Sequence, residues 1–144
     1  DGSVFGHLAD DQFDLLSEAL NQYPDLYTVV SLHHHPIPMG SAWIDKIGVK
    51  NGDKLMELAQ QHDKIKCILW GHVHQESDQV VDGVRMLSTP STCVQFKPSS
   101  DEFDVDTRAP GYRFLELNPD GTIETEVSRV EGITFEVDLT TKGY

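Results

Sequence analysis

The chain is short of cations, of cysteine and of long apolar runs, and each shortage excludes something. Against 24 acidic residues stand 11 lysines and arginines, a net charge of −13 over 144 residues. Binding a nucleic-acid backbone takes a basic face, so DNA is excluded as a partner, and an anionic membrane surface is disfavoured for the same reason. Two cysteines, Cys67 and Cys93, are too few for a disulfide framework, so a reducing, cytoplasmic setting is expected. No apolar run approaches the ~18 residues of a membrane span, and nothing in the opening residues reads as a signal peptide. The first residue is Asp1 rather than Met, which reads as removal of something upstream or as a cut from a longer chain. Hydrophobic residues make up 38%, a low share for a globular domain, but they are clustered.

Those clusters define elements. Residues 1–8 read as a loop. Asp10 or Asp11 is expected to cap a helix ending near Gln22, with Phe13, Leu16 and Leu20 on one face and Pro24 as its stop. Residues 27–32 read as a buried strand. After a loop bearing prolines and glycines, Asn51 or Asp53 opens a second helix, on which Leu55, Leu58, Ala59 and His62 form a stripe. Residues 65–70 are a second strand, so strand, helix and strand predict a βαβ unit with parallel strands. Downstream, 79–89 reads as a hairpin turning on Asp82-Gly83 and 97–111 as an exposed acidic loop. A second hairpin spans 112–130, and 133–139 reads as a last edge strand. The fold class is α/β, with a β-rich second half.

Five of the seven histidines lie in two clusters: His33, His34 and His35 follow the first strand, and His72 and His74 follow the second. Open parallel sheets bind ligands beyond the carboxyl ends of their strands, so the clusters should face each other. Imidazole is the commonest metal ligand near neutral pH. Gly71 is expected to let the chain turn. His72 and His74, two apart in an extended segment, are expected to point the same way, with Val73 turned into the core. Such a pair holds one ion or reaches two neighbouring ions. Pro36 and Pro38 stiffen the first loop. No bridging carboxylate is evident nearby: Asp45 has no ligand spacing, Asp53 reads as a helix-start residue, and Glu76 and Asp78 read as members of a solvated turn.

Other residues have plainer readings. His7 is solvated, and His62 sits where a helix end favours positive charge. Trp70, Phe96 and Cys67 belong to the core, and Cys93 is partly exposed. Trp43, in the loop after the first histidines, is a candidate pocket wall. Ser91 and Thr92 are candidate phosphate or nucleoside contacts, with turn capping as the alternative.

His34-His35-Pro36 after one strand and Gly71-His72-Val73-His74 after the next resemble the last two metal motifs of the calcineurin-like metallophosphoesterases. The stretch Ser88-Thr89-Pro90-Ser91-Thr92-Cys93-Val94-Gln95-Phe96, with Pro110-Gly111-Tyr112-Arg113, narrows the resemblance to the bacterial class III cyclic AMP phosphodiesterases. The resemblance implies that residues 1–144 are the C-terminal part of one four-layer α/β/β/α sandwich domain. It implies two divalent ions, Fe or Mn, that clamp a cyclic nucleotide for hydrolysis to 5′-AMP. It implies His34 and His72 as ligands of the second ion and His74 as a ligand of the first. By the same resemblance His35 lines the site on the substrate side, and His33 is a buried or hydrogen-bonded neighbour.

The resemblance gives no catalytic residue in this chain. The motifs Asp-x-His, Gly-Asp-x-x-Asp and Gly-Asn-His, which carry the bridging Asp and the catalytic His of such enzymes, are absent; Gly52-Asp53 is followed by Lys54, Leu55 and Met56. The chain alone is therefore expected to be inactive and to hold metal partially or not at all. Its natural partner is the missing N-terminal part, and its open sheet edges invite homodimerisation. The rival readings are a sister enzyme acting on another phosphodiester, a mononuclear three-histidine zinc hydrolase and a non-catalytic interaction module.

Overall fold

A computed structural model describes residues 4–134 and 136–140. The elements in chain order are α1 (Asp10–Gln22), β1 (Thr28–Leu32), α2 (Ala42–Asp45), α3 (Gly52–Gln60), β2 (Ile65–Trp70), β3 (Ser77–Val81), β4 (Val84–Ser88), β5 (Gln95–Phe96), β6 (Val105–Asp106), β7 (Gly111–Leu117) and β8 (Ile123–Arg129). Four strands form one sheet in the order β1-β2-β4-β3, and β5-β6 and β7-β8 are separate two-stranded pairs. The architecture is thus mixed α/β, a parallel sheet followed by hairpins.

β2 is central because its side chains are apolar on both faces: Cys67 and Ile68 have no exposed surface and Trp70 is buried. β1 and β4 flank it in parallel, and β3 runs antiparallel to β4. The predicted βαβ unit is present. α1 buries Phe13 and Leu20, and α3 buries Leu55, Met56 and Ala59, against Ile65, Ile68, Val84 and Met86. Register then positions the site. Leu32 stands opposite Trp70, and Trp70 opposite Ser88, so β1, β2 and β4 end level. The segments that follow them leave the sheet at one end.

The helix starts differ from the sequence reading. The N-cap of α1 is Ala9; Asp10 and Asp11 lie in the first turn, where their charge meets the positive helix end without a side-chain cap. α3 begins at Gly52, and Asn51 occupies its cap position without capping. The Asn51 amide instead accepts from the Leu8 N–H at 3.0 Å and donates to the Leu8 carbonyl at 2.8 Å. A tertiary clasp has displaced a local cap.

The stretch 97–111 is not simply an exposed loop. Val105 is buried, and β6 pairs with β5, Phe96 opposite Val105. Lys97 pairs with Asp104 and Arg108 with Asp106, which relieves the local acidity. Asp78 lies on β3 rather than in a turn and holds Arg85 through both carboxylate oxygens, at 2.9 and 2.7 Å. Among the described residues of 133–139 no strand is formed, and Phe135 lies outside them. The Asp82-Gly83 turn is as read, with both residues at positive φ, the pattern of a type I′ hairpin.

Arg113 of β7 fastens the last hairpin to the main sheet. It donates to the carbonyls of Ser88 at 2.9 Å and Ser77 at 3.0 Å, and to the Thr125 hydroxyl at 3.1 Å. Replacing it by methionine keeps the stem but strands the carbonyls of buried Ser88 and half-buried Ser77. Arg113→Met is expected to cost about 3 kcal/mol in urea unfolding, from charged hydrogen bonds worth roughly 1.5–3 kcal/mol each. A loss below about 0.5 kcal/mol, the range of an ordinary surface substitution, would place the hairpin's hold elsewhere.

Candidate metal centre

The second histidine cluster is shaped by its backbone. His72 has φ 57° and His74 φ 50°, both in the left-handed region that side chains rarely occupy. The Val73 N–H donates to the Gly71 carbonyl at 2.5 Å, closing a three-residue γ-turn centred on His72. Fully buried Val73 pins this turn. Such conformations cost of order 1–3 kcal/mol each and persist where packing over-determines them. The segment is therefore not extended, and the two rings do not point the same way. Nor does Gly71 carry the turn: a Cβ there would meet His33 Nδ1 at 3.9 Å, an ordinary contact.

His72 turns into the first cluster. Its ring centroid lies 5.2 Å from that of His33, 4.3 Å from that of His34 and 5.7 Å from that of His35. One ligand atom from each of His33, His34 and His72 lies within 4.8 Å of the others. His33 is exposed rather than buried, because it is the first residue beyond the sheet. His35 is buried, 2% exposed, its ring 14° from parallel with His72.

His74 turns the other way. Its ring stacks on Phe96 at 4.2 Å, and Nδ1 lies 2.9 Å from the Val94 carbonyl. A carbonyl only accepts, so Nδ1 carries the proton and Nε2 keeps its lone pair. By the same logic His34 donates from Nε2 to the Val4 carbonyl at 3.3 Å and keeps a lone pair on Nδ1.

Burial disfavours the charged form of four of these rings, His34, His35, His72 and His74. Burial, then the neighbouring His34, His33, His35 and His74, push His72 down to about 3. Burial is also the main cause that lowers His34, His35 and His74 below the ordinary imidazole value. Nε2 of His72 is buried with no hydrogen-bond partner. Converging imidazoles, with His34 and His72 lowered below the ordinary value and a buried nitrogen left without a partner, fit a borderline divalent cation. Among the described residues no carboxylate joins the cluster. Asp45 accepts from the N–H groups of Met39 at 2.7 Å and Gly40 at 3.1 Å, Glu76 pairs with Arg129, and Asp53 is exposed on α3.

The remaining candidates are spread around this end of the sheet. Trp43 packs edge-on against Phe96 and Phe103, its Nε1 buried without a partner. Ser91 Oγ accepts from the Cys93 N–H at 3.0 Å, a local turn. Thr92 is exposed and, with Val94 and Arg108, borders a cavity of about 460 Å³. Cys67 is buried, and burial pushes its thiol up to about 11, whereas Cys93 is exposed. Sequence reasoning passed over Gln95, which is buried and whose amide ties Ser91 and Cys93 together. It lies inside the stretch 88–96 that carried the resemblance, which was the signal that could have found it.

No family model matches the chain. Among curated proteins, the 3′,5′-cyclic adenosine monophosphate phosphodiesterase CpdA of Pseudomonas aeruginosa is 49% identical over 143 residues, covering 99% of this chain and 53% of that protein. CpdA of Haemophilus influenzae is 42% identical and that of Escherichia coli K12 is 43% identical, each over 99% of this chain and 52% of the relative. A solved structure of Vps29 from Entamoeba histolytica aligns with 53% of this chain and 46% of its own at 21% identity, with a TM-score of 0.32, too low to define a shared fold. Across 143 residues the chain is homologous to the CpdA cyclic AMP phosphodiesterases, and it spans about half the length of these curated relatives.

Proposed function

We propose that the chain supplies the C-terminal half of a metal-dependent 3′,5′-cyclic AMP phosphodiesterase that yields 5′-AMP. The observation that carries this reading is the convergence of imidazoles where β1 and β2 end level, in a chain 49% identical to a CpdA over 143 residues. His34 and His72 are the ligands we assign to one divalent ion and His74 to a second, iron or manganese. Divalent ions, when bound, supply Lewis acidity toward phosphate oxygens and a water of lowered pKa. They also supply the positive field that a chain of net charge −13 cannot offer an anionic diester.

The residues of this chain do the rest of its share. Val94 fixes the His74 tautomer so that Nε2 keeps its lone pair, and Val4 does the same for Nδ1 of His34. Thr92 is the residue best exposed to meet substrate; Trp43 and Ser91 support the wall behind it. The bridging carboxylate and the catalytic histidine come from the upstream half, which packs beside β1, whose outer edge carries no partner strand among the described residues. Two free cysteines suit a reducing cytoplasm. Among the described residues no helix is long and apolar enough to cross a membrane. The same open edge gives the isolated chain a route to dimers.

The test compares this 144-residue chain with its fusion behind the N-terminal half of the Pseudomonas aeruginosa relative. With added divalent metal, the fusion is expected to hydrolyse cyclic AMP and the chain alone to show no turnover. Turnover by the chain alone would overturn the division of labour. A folded, metal-loaded fusion that cleaves another diester but not cyclic AMP would overturn the substrate. A second reading, one ion held by the chain alone, is favoured by the His33–His34–His72 grouping; it requires a single zinc that is lost in His33→Ala but kept in His74→Ala.

A further inference from the structure

His35 is the most enclosed imidazole among the described residues, 2% exposed, and neither ring nitrogen has a hydrogen-bond partner. Buried polar groups in that condition ask for an explanation. Its surroundings are shaped around it. A Cβ at Gly48 would stand 2.7 Å from His35 Nε2, so only glycine leaves room for the ring. The Val49 N–H donates to the His35 carbonyl at 2.9 Å and fixes the backbone. An Asp45 carboxylate oxygen lies 3.5 Å from Nε2, and that carboxylate is itself held by Met39 and Gly40. His72 stacks on the ring, only 14° from parallel and 5.7 Å away, an offset stack.

The geometry points to His35 as a positioning residue: held at its Nε2 edge beside Asp45 and Gly48, its ring sets the plane of His72 and so aims the buried Nε2 of His72. Two features favour this over a ligand role. The His33–His34–His72 grouping does not include it, and Asp45 faces one of its nitrogens. His72 needs such a wall because its backbone is a strained turn whose side chain has no hydrogen bond at Nε2 to orient it. The functional consequence rests on the metal reading of His72; the geometric claim does not.

The experiment follows the His72 ring by side-chain ¹H–¹⁵N spectra of the chain in chelator, then titrates Co²⁺. His35→Phe keeps a flat ring and removes both nitrogens, so His72 signals and cobalt affinity should match the parent chain. His35→Ala removes the wall, so the His72 tautomers should average and cobalt affinity should fall about 10–100-fold, the usual loss of an outer support. Unchanged His72 signals in His35→Ala overturn the inference, and so does a His35→Phe chain that behaves like His35→Ala. If His35→Ala fails to fold by circular dichroism, Gly48→Ala pushes the intact His35 ring and must shift the His72 signals; no shift overturns the inference. A parent chain that binds no cobalt overturns the metal reading and leaves the spectra to decide the positioning role.

Discussion

Gly52→Ala is expected to lower the melting temperature by roughly 10 °C, the equivalent of about 3 kcal/mol in a domain of this size. Helix propensity alone argues the other way, since alanine in place of a helical glycine gains up to about 1 kcal/mol. The contact decides the sign. Gly52 is the first residue of α3, and a Cβ there would stand 2.2 Å from the Pro36 carbonyl oxygen and 3.0 Å from its carbon. Both partners are backbone, so no rotamer change relieves the clash. Either α3 lifts away from the sheet, taking buried Leu55, Met56 and Ala59 with it, or residue 36 moves. The second route displaces His35, its neighbour, so the variant should also weaken cobalt binding. Overpacking of this kind usually costs about 1–3 kcal/mol, and a rigid backbone contact belongs at the upper end. Gly71→Ala is the control: the nearest atom is 3.9 Å away and φ is not positive, so its melting point should stay close to that of the parent. A Gly52→Ala protein as stable as the parent would mean that the Pro36–Gly52 approach is not held in solution.

What the sequence made legible follows from how local each signal is. The apolar stripe of α1 ends at Gln22, as periodicity and Pro24 predict, and β2 occupies 65–70 because an apolar run centred on Cys67 and Ile68 suits only a strand buried on both faces. The Asp82-Gly83 pair announces its own turn. The convergence of the two histidine clusters was also legible, because level strand ends follow from a parallel βαβ unit. The failures are long-range. Asn51 looks like a cap until Leu8, 43 residues earlier, takes its amide. The two-residue β5–β6 ladder is too short to show a period, although Phe103 and Val105 set two apart in an acidic stretch were a usable hint. The left-handed backbone at His72 and His74 has no sequence signal, since glycine stands one position earlier and does not take the turn. Hence the ring directions, and with them the separation of His74 from the other histidines, needed the structure.

The histidine end of the sheet also sets how the metal-free chain responds to acid. His72 is pushed down to about 3, and His34, His35 and His74 are lowered, with burial as the main cause in each. In the unfolded chain all four titrate near the ordinary 6.5. Below that pH the unfolded state binds more protons than the folded one, so stability rises with pH through this window and is lost as pH falls from about 6.5 toward 3. Carboxylates act lower. Asp78, held down chiefly by Arg85, and Asp104, held down chiefly by Lys97, keep their contribution until pH drops below the ordinary carboxylate value. The two effects therefore separate on the pH axis. In chelator, the urea midpoint is expected to fall between pH 7 and pH 5 with little change in the denaturant slope. His72→Phe should flatten that fall, because the group with the largest shift no longer titrates. A midpoint independent of pH over this range, or an equally steep fall in His72→Phe, would show that His72 is not held neutral by burial. The same depression keeps the imidazole lone pairs free of protons at neutral pH, so little proton release opposes a cation entering the cluster.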